Sequence, residues 1–291
     1  MTQHTRALIA LMLSVFIWGN AFVGIRDGLH YFSPGSLGLL RYMISSVFVL
    51  PIYFLLPKRT LPRLKDIPSL FCLGLLGIGL YTVLLNIGET TTSASIASFV
   101  VSQSPLLTIV FAVIFLRERL TRLSWVGFII SLMGVGLIAA AEAENLGHFN
   151  HGIFYLIGAV VCTSMYSILQ KPLLSRFEPL ELVAWSIWFG TLILSFYFPV
   201  LAKEVPHQEL SHYISPLFLG MFAGIFGYAL LAYGIKYYPV SKAASFFLAM
   251  PFISTLTGWV FLDEVPTFMA LLGGVIAISG GLFVKVIPAK S

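Results

Sequence analysis

Ten predominantly apolar runs, separated by short polar segments, divide this chain. A bilayer core about 30 Å thick needs about 20 apolar residues in a helix, and the runs have about that length. They cover approximately residues 7–25, 36–56, 69–86, 93–116, 124–141, 153–174, 180–200, 215–234, 243–262 and 267–286. The pattern predicts an all-α polytopic membrane protein with ten transmembrane helices.

The composition excludes most soluble classes. Hydrophobic residues make up 58% of the 291 residues and charged residues only 10%, whereas a soluble domain carries about 25% charged residues. The net charge of +5 comes from basic residues scattered among apolar runs, so we expect no nucleic-acid partner. Cys72 and Cys162 both lie inside apolar runs, and we expect no disulfide framework, metal or cofactor.

The basic residues predict the orientation. With a cytoplasmic N-terminus, 14 of the 17 Lys and Arg residues fall on the inner side and three, Arg26, Arg41 and Lys203, on the outer side. The positive-inside rule favours this arrangement. An even number of helices then places the C-terminus in the cytoplasm as well.

A repeat is visible when the chain is shifted on itself by 146 residues. Gly74 then meets Gly220, Pro105 meets Pro251, and FLRERLT meets FLDEVPT. We therefore predict two five-helix halves, residues 1–146 and 147–291. Because five is odd, the second half enters the membrane inverted, and inverted repeats are typical of secondary transporters with a midplane substrate site.

The segment WGNAFVGIRDGLHYFSPGSLGLLRYMISS (Trp18–Ser46), with the paired FLRERLT and FLDEVPT segments, resembles the EamA family of the drug/metabolite transporter superfamily. The resemblance implies a ten-helix, two-repeat fold in a bacterial inner (plasma) membrane and export of amino acids or related metabolites. It also implies that the first, third, fourth, sixth, eighth and ninth helices surround the cavity. The first helix lacks the carboxylate with which small multidrug exporters of the superfamily exchange protons, which disfavours drug export of that kind.

Neutral polar and aromatic side chains dominate the middle of the predicted spans. Amides, hydroxyls and aromatic faces suit a small zwitterion or a neutral amphiphile. On the helices that the resemblance assigns to the cavity, the candidate substrate-binding residues are Trp18, Asn20, Tyr81, Gln103, Tyr166, Gln170 and Tyr228. Each aromatic residue among them is also compatible with a lipid-facing position.

Arg41 lies about two turns into the second predicted helix, on the outer side, and needs a partner. Asp27, Glu89, Asp263 and Glu264 are available there. We favour an ion pair or outer gate that includes Arg41 and Glu89 over contact with the substrate. Pro105 and Pro251 interrupt equivalent helices and are either hinges or tolerated kinks.

These observations favour an inner-membrane exporter of amino acids or related metabolites that works by alternating access between the two halves. The alternative is import or exchange of drugs, nucleosides or other small organic metabolites. An intramembrane enzyme is disfavoured because all six histidines lie at or beyond helix ends. A non-transport scaffold is disfavoured because the chain has no long docking loop. One copy suffices to enclose a cavity, and a dimer stays open as the alternative.

Overall fold

The computed structural model describes residues 2–56, 59–117, 119–146, 150–262, 268–283 and 286–287. Ten helices follow one another within these residues, and some contain wider or tighter turns. They are α1 (Gln3–Gly28), α2 (Pro34–Phe54), α3 (Leu64–Thr91), α4 (Ala94–Val101 and Ser104–Leu116), α5 (Arg122–Leu146), α6 (Gly152–Leu173), α7 (Pro179–His207), α8 (Leu210–Tyr237), α9 (Val240–Phe261) and α10 (Phe268–Leu282). Two short strands, β1 (Arg119–Leu120) and β2 (Val286–Ile287), pair antiparallel.

Eight of the helices in the described residues are long and apolar enough to cross a membrane. The exceptions, α5 and α10, contain shorter apolar stretches, Arg122–Gly134 and Leu271–Gly280. The prediction of an all-helical membrane protein is thus confirmed, and the exact number of ten crossings stays a prediction. Several helices extend beyond the apolar runs, since α3 begins five residues before the predicted third run and ends five residues after it.

Local sequence signals set the helix ends. Pro34 and Pro179 occupy the first turns of α2 and α7, where the absent N–H would have no intrahelical partner. At the start of α7, the backbone N–H of Glu178 donates to the Glu181 carboxylate at 2.8 Å, as in a capping box. Arg117 ends α4 in a left-handed conformation, with φ of 56°.

The contacts between helices are the same in both halves when α1–α5 are exchanged with α6–α10, in that order. The α1–α8 contact corresponds to α6–α3, α1–α9 corresponds to α6–α4, and α2–α8 corresponds to α7–α3. The pairs α2–α7, α4–α9 and α5–α10 correspond to themselves. The two halves are therefore related by a pseudo-two-fold axis, as a transporter with internal repeats requires.

The direction of α2 and α7 shows that the repeats are inverted. Gly35, near the start of α2, packs on the ring of Tyr197, which follows Leu194 in α7. Tyr53, near the end of α2, lies 5.1 Å from Trp188 of α7, ring centroid to ring centroid, and 6.2 Å from Trp185. The equivalent helices thus run antiparallel.

Irregular turns occur at equivalent positions in the two halves. A wide, π-helical turn covers Leu75–Leu80 in α3 and Leu219–Gly227 in α8. The α-helix of α4 breaks after Val101, and α9 has a 3-10 turn at Phe246–Ala249. Pro105 and Pro251 each sit in the first turn of the helical segment that follows.

Candidate functional site

A central cavity lies between the two halves, near the middle of the helices. Its lining comes from α1, α3, α4, α6, α8 and α9, the helices that the family resemblance implied, and also from α2. The polar and aromatic lining residues are Trp18, Phe22, Arg41, Tyr81, Ser104, Thr108, Thr163, Ser167, Tyr228 and Phe247. The aliphatic ones are Ala21, Ile25, Leu85, Val101, Ala244 and Met250.

The lining includes residues that the repeat relates to each other. A shift of 146 residues pairs Ala21 with Ser167 and Val101 with Phe247. The cavity therefore straddles the pseudo-two-fold axis, where relative movement of the halves would open it.

Trp18 and Tyr228 are fixed by hydrogen bonds to the wide turns. The Trp18 indole Nε1 donates to the backbone carbonyl of Ala223 at 2.9 Å. The Tyr228 hydroxyl donates to the backbone carbonyl of Gly77 at 2.6 Å. Both donors are thus engaged by the protein, so these rings offer a ligand their faces and edges.

An aromatic row extends through this part of the molecule. Trp18 stacks on Phe247 with centroids 5.3 Å apart and meets Tyr228 edge-on at 4.8 Å. Tyr166 stands edge-on to Tyr228 at 5.4 Å. Tyr166 is fully buried behind Tyr228 and does not line the cavity, so it supports the wall from the second layer.

Arg41 reaches the cavity from α2, although its side chain is only 3% exposed. Its guanidinium carbon lies 4.9 Å from the ring centroid of Tyr42. Among the described residues, none accepts a hydrogen bond from its Nε, and no carboxylate pairs with it. The sequence predicts Arg41 about two turns into α2, on the outer side, and the structure also places it in the lining of the central cavity.

Tyr81 lies on the cavity wall and, as predicted, near the middle of α3. Its hydroxyl is within electrostatic range of both Arg41 and Glu89. Glu89 is fully buried but does not line the cavity, and its backbone carbonyl accepts a hydrogen bond from Arg26 Nη1 at 2.6 Å. The gating role of Arg41 and Glu89 stays a prediction, while Asp263 and Glu264 lie outside the described residues.

The three predicted amides do not line the cavity. Asn20 Nδ2 donates to the Phe16 carbonyl of its own helix at 2.8 Å. Gln103 Nε2 donates to the Phe99 carbonyl at 3.2 Å, and Gln103 Oε1 accepts from Ser131 Oγ at 3.3 Å. Gln103 therefore connects α4 to α5.

Gln170 lies in the interior near the end of α6. It is fully buried, and neither its Nε2 nor its Oε1 has a hydrogen-bond partner among the described residues. Of the seven residues predicted to bind substrate, the structure thus brings Trp18, Tyr81 and Tyr228 together at the cavity and leaves the other four outside its lining.

Polar contacts join the two halves beyond both ends of the cavity. At one end, Ser215 Oγ donates to the Asp27 carboxylate at 2.6 Å, and the Tyr31 ring stacks on His212 at 3.8 Å. At the other end, Arg176 pairs with Asp66. Each set would have to separate for the cavity to open on that side.

The described residues contain no group of three His, Cys, Asp or Glu side chains that could hold a metal ion. The cavity combines aromatic and aliphatic walls with a few hydroxyls and one guanidinium, as small-molecule binding sites commonly do.

The EamA-like transporter family model matches this chain twice, over residues 5–140 and 150–286. The chain belongs to the EamA-like transporter family. It is accordingly a multi-pass membrane protein and a transporter. The two matches agree with the two halves seen in the packing, while the exact boundary between residues 146 and 147 stays a prediction.

Three relatives of this EamA-like transporter cover nearly the whole chain. The uncharacterized transporter YdfC of Bacillus subtilis (strain 168) is 34% identical over 97% of this chain and 91% of its own length. An uncharacterized transporter of Archaeoglobus fulgidus is 32% identical over 94% and 96%. A probable terminal-alkyne amino-acid exporter of Streptantibioticus cattleyicolor is 29% identical over 97% and 94%.

A solved crystal structure has the same fold. It superposes with a TM-score of 0.72 at 17% identity and covers 97% of this chain and 98% of its own. The two-repeat helical architecture of this EamA-like transporter thus agrees with an experimental structure.

Proposed function

We propose that this EamA-like transporter exports amino acids or amino-acid-related metabolites by alternating access between its two inverted repeats. The central cavity between the halves is the observation that carries this proposal, because it is enclosed by helices of both. Movement of one half against the other exposes such a cavity to each side of the membrane in turn.

The lining of the cavity supports a small amphipathic substrate. The stacked rings of Trp18 and Phe247 and the Tyr81 hydroxyl offer an apolar surface beside polar groups. The relative from Streptantibioticus cattleyicolor, whose name specifies an amino-acid exporter, supports the same class.

We further propose that the protein lies in the plasma membrane with both termini in the cytoplasm, as the distribution of basic residues favours. Arg176 and Asp66 then join the halves on the cytoplasmic side, and Asp27 and Ser215 join them on the outer side. Pro105 and Pro251 act as hinges in this mechanism, since each follows a break in its helix.

Flux into liposomes tests the proposed function. Purified full-length protein is reconstituted, and uptake and efflux of radiolabelled small apolar amino acids are measured with and without an imposed pH gradient. Saturable flux above that of protein-free liposomes is expected. Flux of nucleosides or drugs without flux of any amino acid would replace the proposed substrate class by the alternative one.

A pair of matched variants connects the flux to the cavity. Thr163→Leu adds bulk to the cavity wall, whereas Thr90→Leu makes the same exchange at an exposed position at the end of α3. We expect flux to fall in the first variant and to persist in the second. Equal flux in both would place the substrate path elsewhere.

A further inference from the structure

Arg41 differs from the other charged groups of the described interior because it reaches the cavity without a partner. Its side chain is 3% exposed, and its Nε has no hydrogen-bond acceptor among the described residues. The nearby Tyr42 ring, 4.9 Å from the guanidinium carbon, compensates the charge only in part. A buried cation in a membrane protein is costly and is retained where it has a function.

The charges on the cavity wall are unbalanced. Among the described lining residues Arg41 is a cation, and none is a carboxylate. Glu89, the fully buried carboxylate near Tyr81, is not part of the lining. The group that complements this wall is therefore an anion.

Arg41 and Tyr81 are two hydrogen-bond donors of the cavity wall. Trp18 and Tyr228 already donate to backbone carbonyls. Arg41 and the Tyr81 hydroxyl make no side-chain hydrogen bond to a described residue, and they lie within electrostatic range of each other. A ligand anion would be held by these two side chains.

We propose that Arg41, assisted by Tyr81, binds the carboxylate of the transported substrate. A planar guanidinium forms two parallel hydrogen bonds with a carboxylate. One guanidinium balances the single charge of a monocarboxylate but not the charge of a phosphate dianion. The aromatic row of Trp18 and Phe247 then contacts the remainder of the substrate.

This assignment makes the carboxylate essential and the amino group dispensable. No carboxylate on the described cavity wall pairs with an ammonium, so the ammonium meets only neutral groups there. The inference rests on the proposed function for the amino-acid class, but it extends that class to N-acylated amino acids and to simple carboxylic acids of similar size.

Four probes with the same propargyl side chain test the carboxylate and the amino group of the substrate separately. They are propargylglycine, N-acetylpropargylglycine, 4-pentynoic acid and propargylglycine methyl ester. Binding to purified full-length protein in lipid nanodiscs is measured by the shift in thermal unfolding temperature over a concentration series. We expect the three free acids to shift the wild-type temperature and the methyl ester, which keeps the amine, to have little effect.

Variants of Arg41 assign the effect to this side chain. Arg41→Gln is expected to weaken binding of the free acids about 10- to 100-fold, as loss of a charge-assisted pair does, and Arg41→Lys to weaken it less. The matched control, Arg59→Gln, removes a positive charge from an exposed position outside the cavity and should bind like the wild type. The unfolding temperature without ligand confirms that each variant is folded.

Several outcomes would overturn the proposal. They are binding of the methyl ester as tight as that of the acids, unchanged binding of the acids to Arg41→Gln, and absence of any shift with all three acids. Suppose that 4-pentynoic acid raises the unfolding temperature of the wild type but not that of Arg41→Gln, and that no amino acid crosses the liposome membrane. The Arg41 assignment then stands and the proposed substrate class fails. If amino acids cross and Arg41→Gln transports them with an unchanged KM, the proposed function stands and this assignment fails.

Discussion

The Trp18 indole N–H, in the first repeat, donates a hydrogen bond of 2.9 Å to the backbone carbonyl of Ala223, in the second. Tyr228 makes the reciprocal bond, from the second repeat to the carbonyl of Gly77 in the first. A shift of 146 residues superposes Gly77 on Ala223. Equivalent backbone acceptors in the two wide turns thus hold these two rings, which contact each other edge-on at the cavity wall.

Removing either donor should weaken the fold by a similar amount. Trp18→Phe and Tyr228→Phe each leave a backbone carbonyl without its side-chain donor, at a cost of about 0.5 to 1.5 kcal/mol. Reversible unfolding in detergent, followed by circular dichroism, measures the free energy. A large loss for one variant and none for the other would show that the two bonds are not equivalent.

Truncating both rings should reveal coupling between them. The ring centroids of Trp18 and Tyr228 are 4.8 Å apart in an edge-on arrangement. A double-mutant cycle with Trp18→Ala and Tyr228→Ala is expected to give an interaction free energy of about 0.5 to 1.5 kcal/mol. The cycle with the two Phe variants is the control and should be closer to additive, because it keeps the ring contact.

Gly227 should not tolerate a methyl group. A Cβ at this position would collide with Trp18 Nε1 and lie 2.9 Å from Trp18 Cδ1. Gly227→Ala is therefore expected to displace the indole, to lower the unfolding temperature and to reduce transport. Intrinsic tryptophan fluorescence, with the thermal unfolding curve, measures both structural effects.

Gly136→Ala is the matched control for that substitution. No atom of the described residues lies within 4 Å of a Cβ at Gly136, and alanine favours the helix by about 1 kcal/mol over glycine. This variant should keep or raise the unfolding temperature with unchanged fluorescence. Equal destabilisation by both substitutions would contradict the role assigned to the Gly227–Trp18 contact.

Gln103→Ala should affect stability rather than substrate affinity. The Gln103 amide connects α4 to α5 through Phe99 and Ser131 and does not line the cavity. Losing these buried hydrogen bonds should cost about 1 to 3 kcal/mol and leave KM unchanged in the liposome assay. A raised KM with unchanged stability would instead support the original prediction that Gln103 binds substrate.

Much of the fold could be predicted from the sequence because lipid imposes a simple rule. A spanning helix must be apolar over about 20 residues, and those runs are directly visible. The 146-residue offset likewise predicted the repeat that the helix contacts show. The wide turns were not predicted, since their residues, GLLGIGL and LGMFAGIFG, suggest close packing without specifying the hydrogen-bond pattern.

The cavity was predicted in part. Trp18, Tyr81 and Tyr228 were expected at the cavity and are found there. Asn20 instead donates a hydrogen bond within its own helix, and Gln103 forms hydrogen bonds within α4 and to the neighbouring α5. A sequence gives the depth of a residue along its helix but not the direction of its side chain around the helix axis. Hydroxyl residues such as Thr108 and Ser167 were missed for the same reason.

The sequence gives the depth of Arg41, about two turns into α2, and this depth alone favours an ion pair or gate near the outer end. Its long side chain, on the buried face with Leu37 and Ser45, instead extends to the cavity. The repeat contained a signal that could have revealed this. The position equivalent to Arg41 in the second half is Ile187, so the cation has no structural counterpart.

Replacing Arg41 with an apolar residue should stabilise the protein while abolishing transport. The guanidinium is buried and has no ion pair among the described residues, and Met has a similar length without the charge. Apolar replacement of buried charges is often stabilising, by about 1 to 4 kcal/mol. Arg41→Met should therefore raise the unfolding temperature in the absence of ligand.

Arg26→Met is the contrasting variant, because Arg26 Nη1 donates to the Glu89 carbonyl. Loss of this hydrogen bond should lower the unfolding temperature. Thermal unfolding and liposome flux on the same preparations measure both properties. A fall in stability for Arg41→Met as large as that for Arg26→Met would show that the fold itself depends on the Arg41 charge.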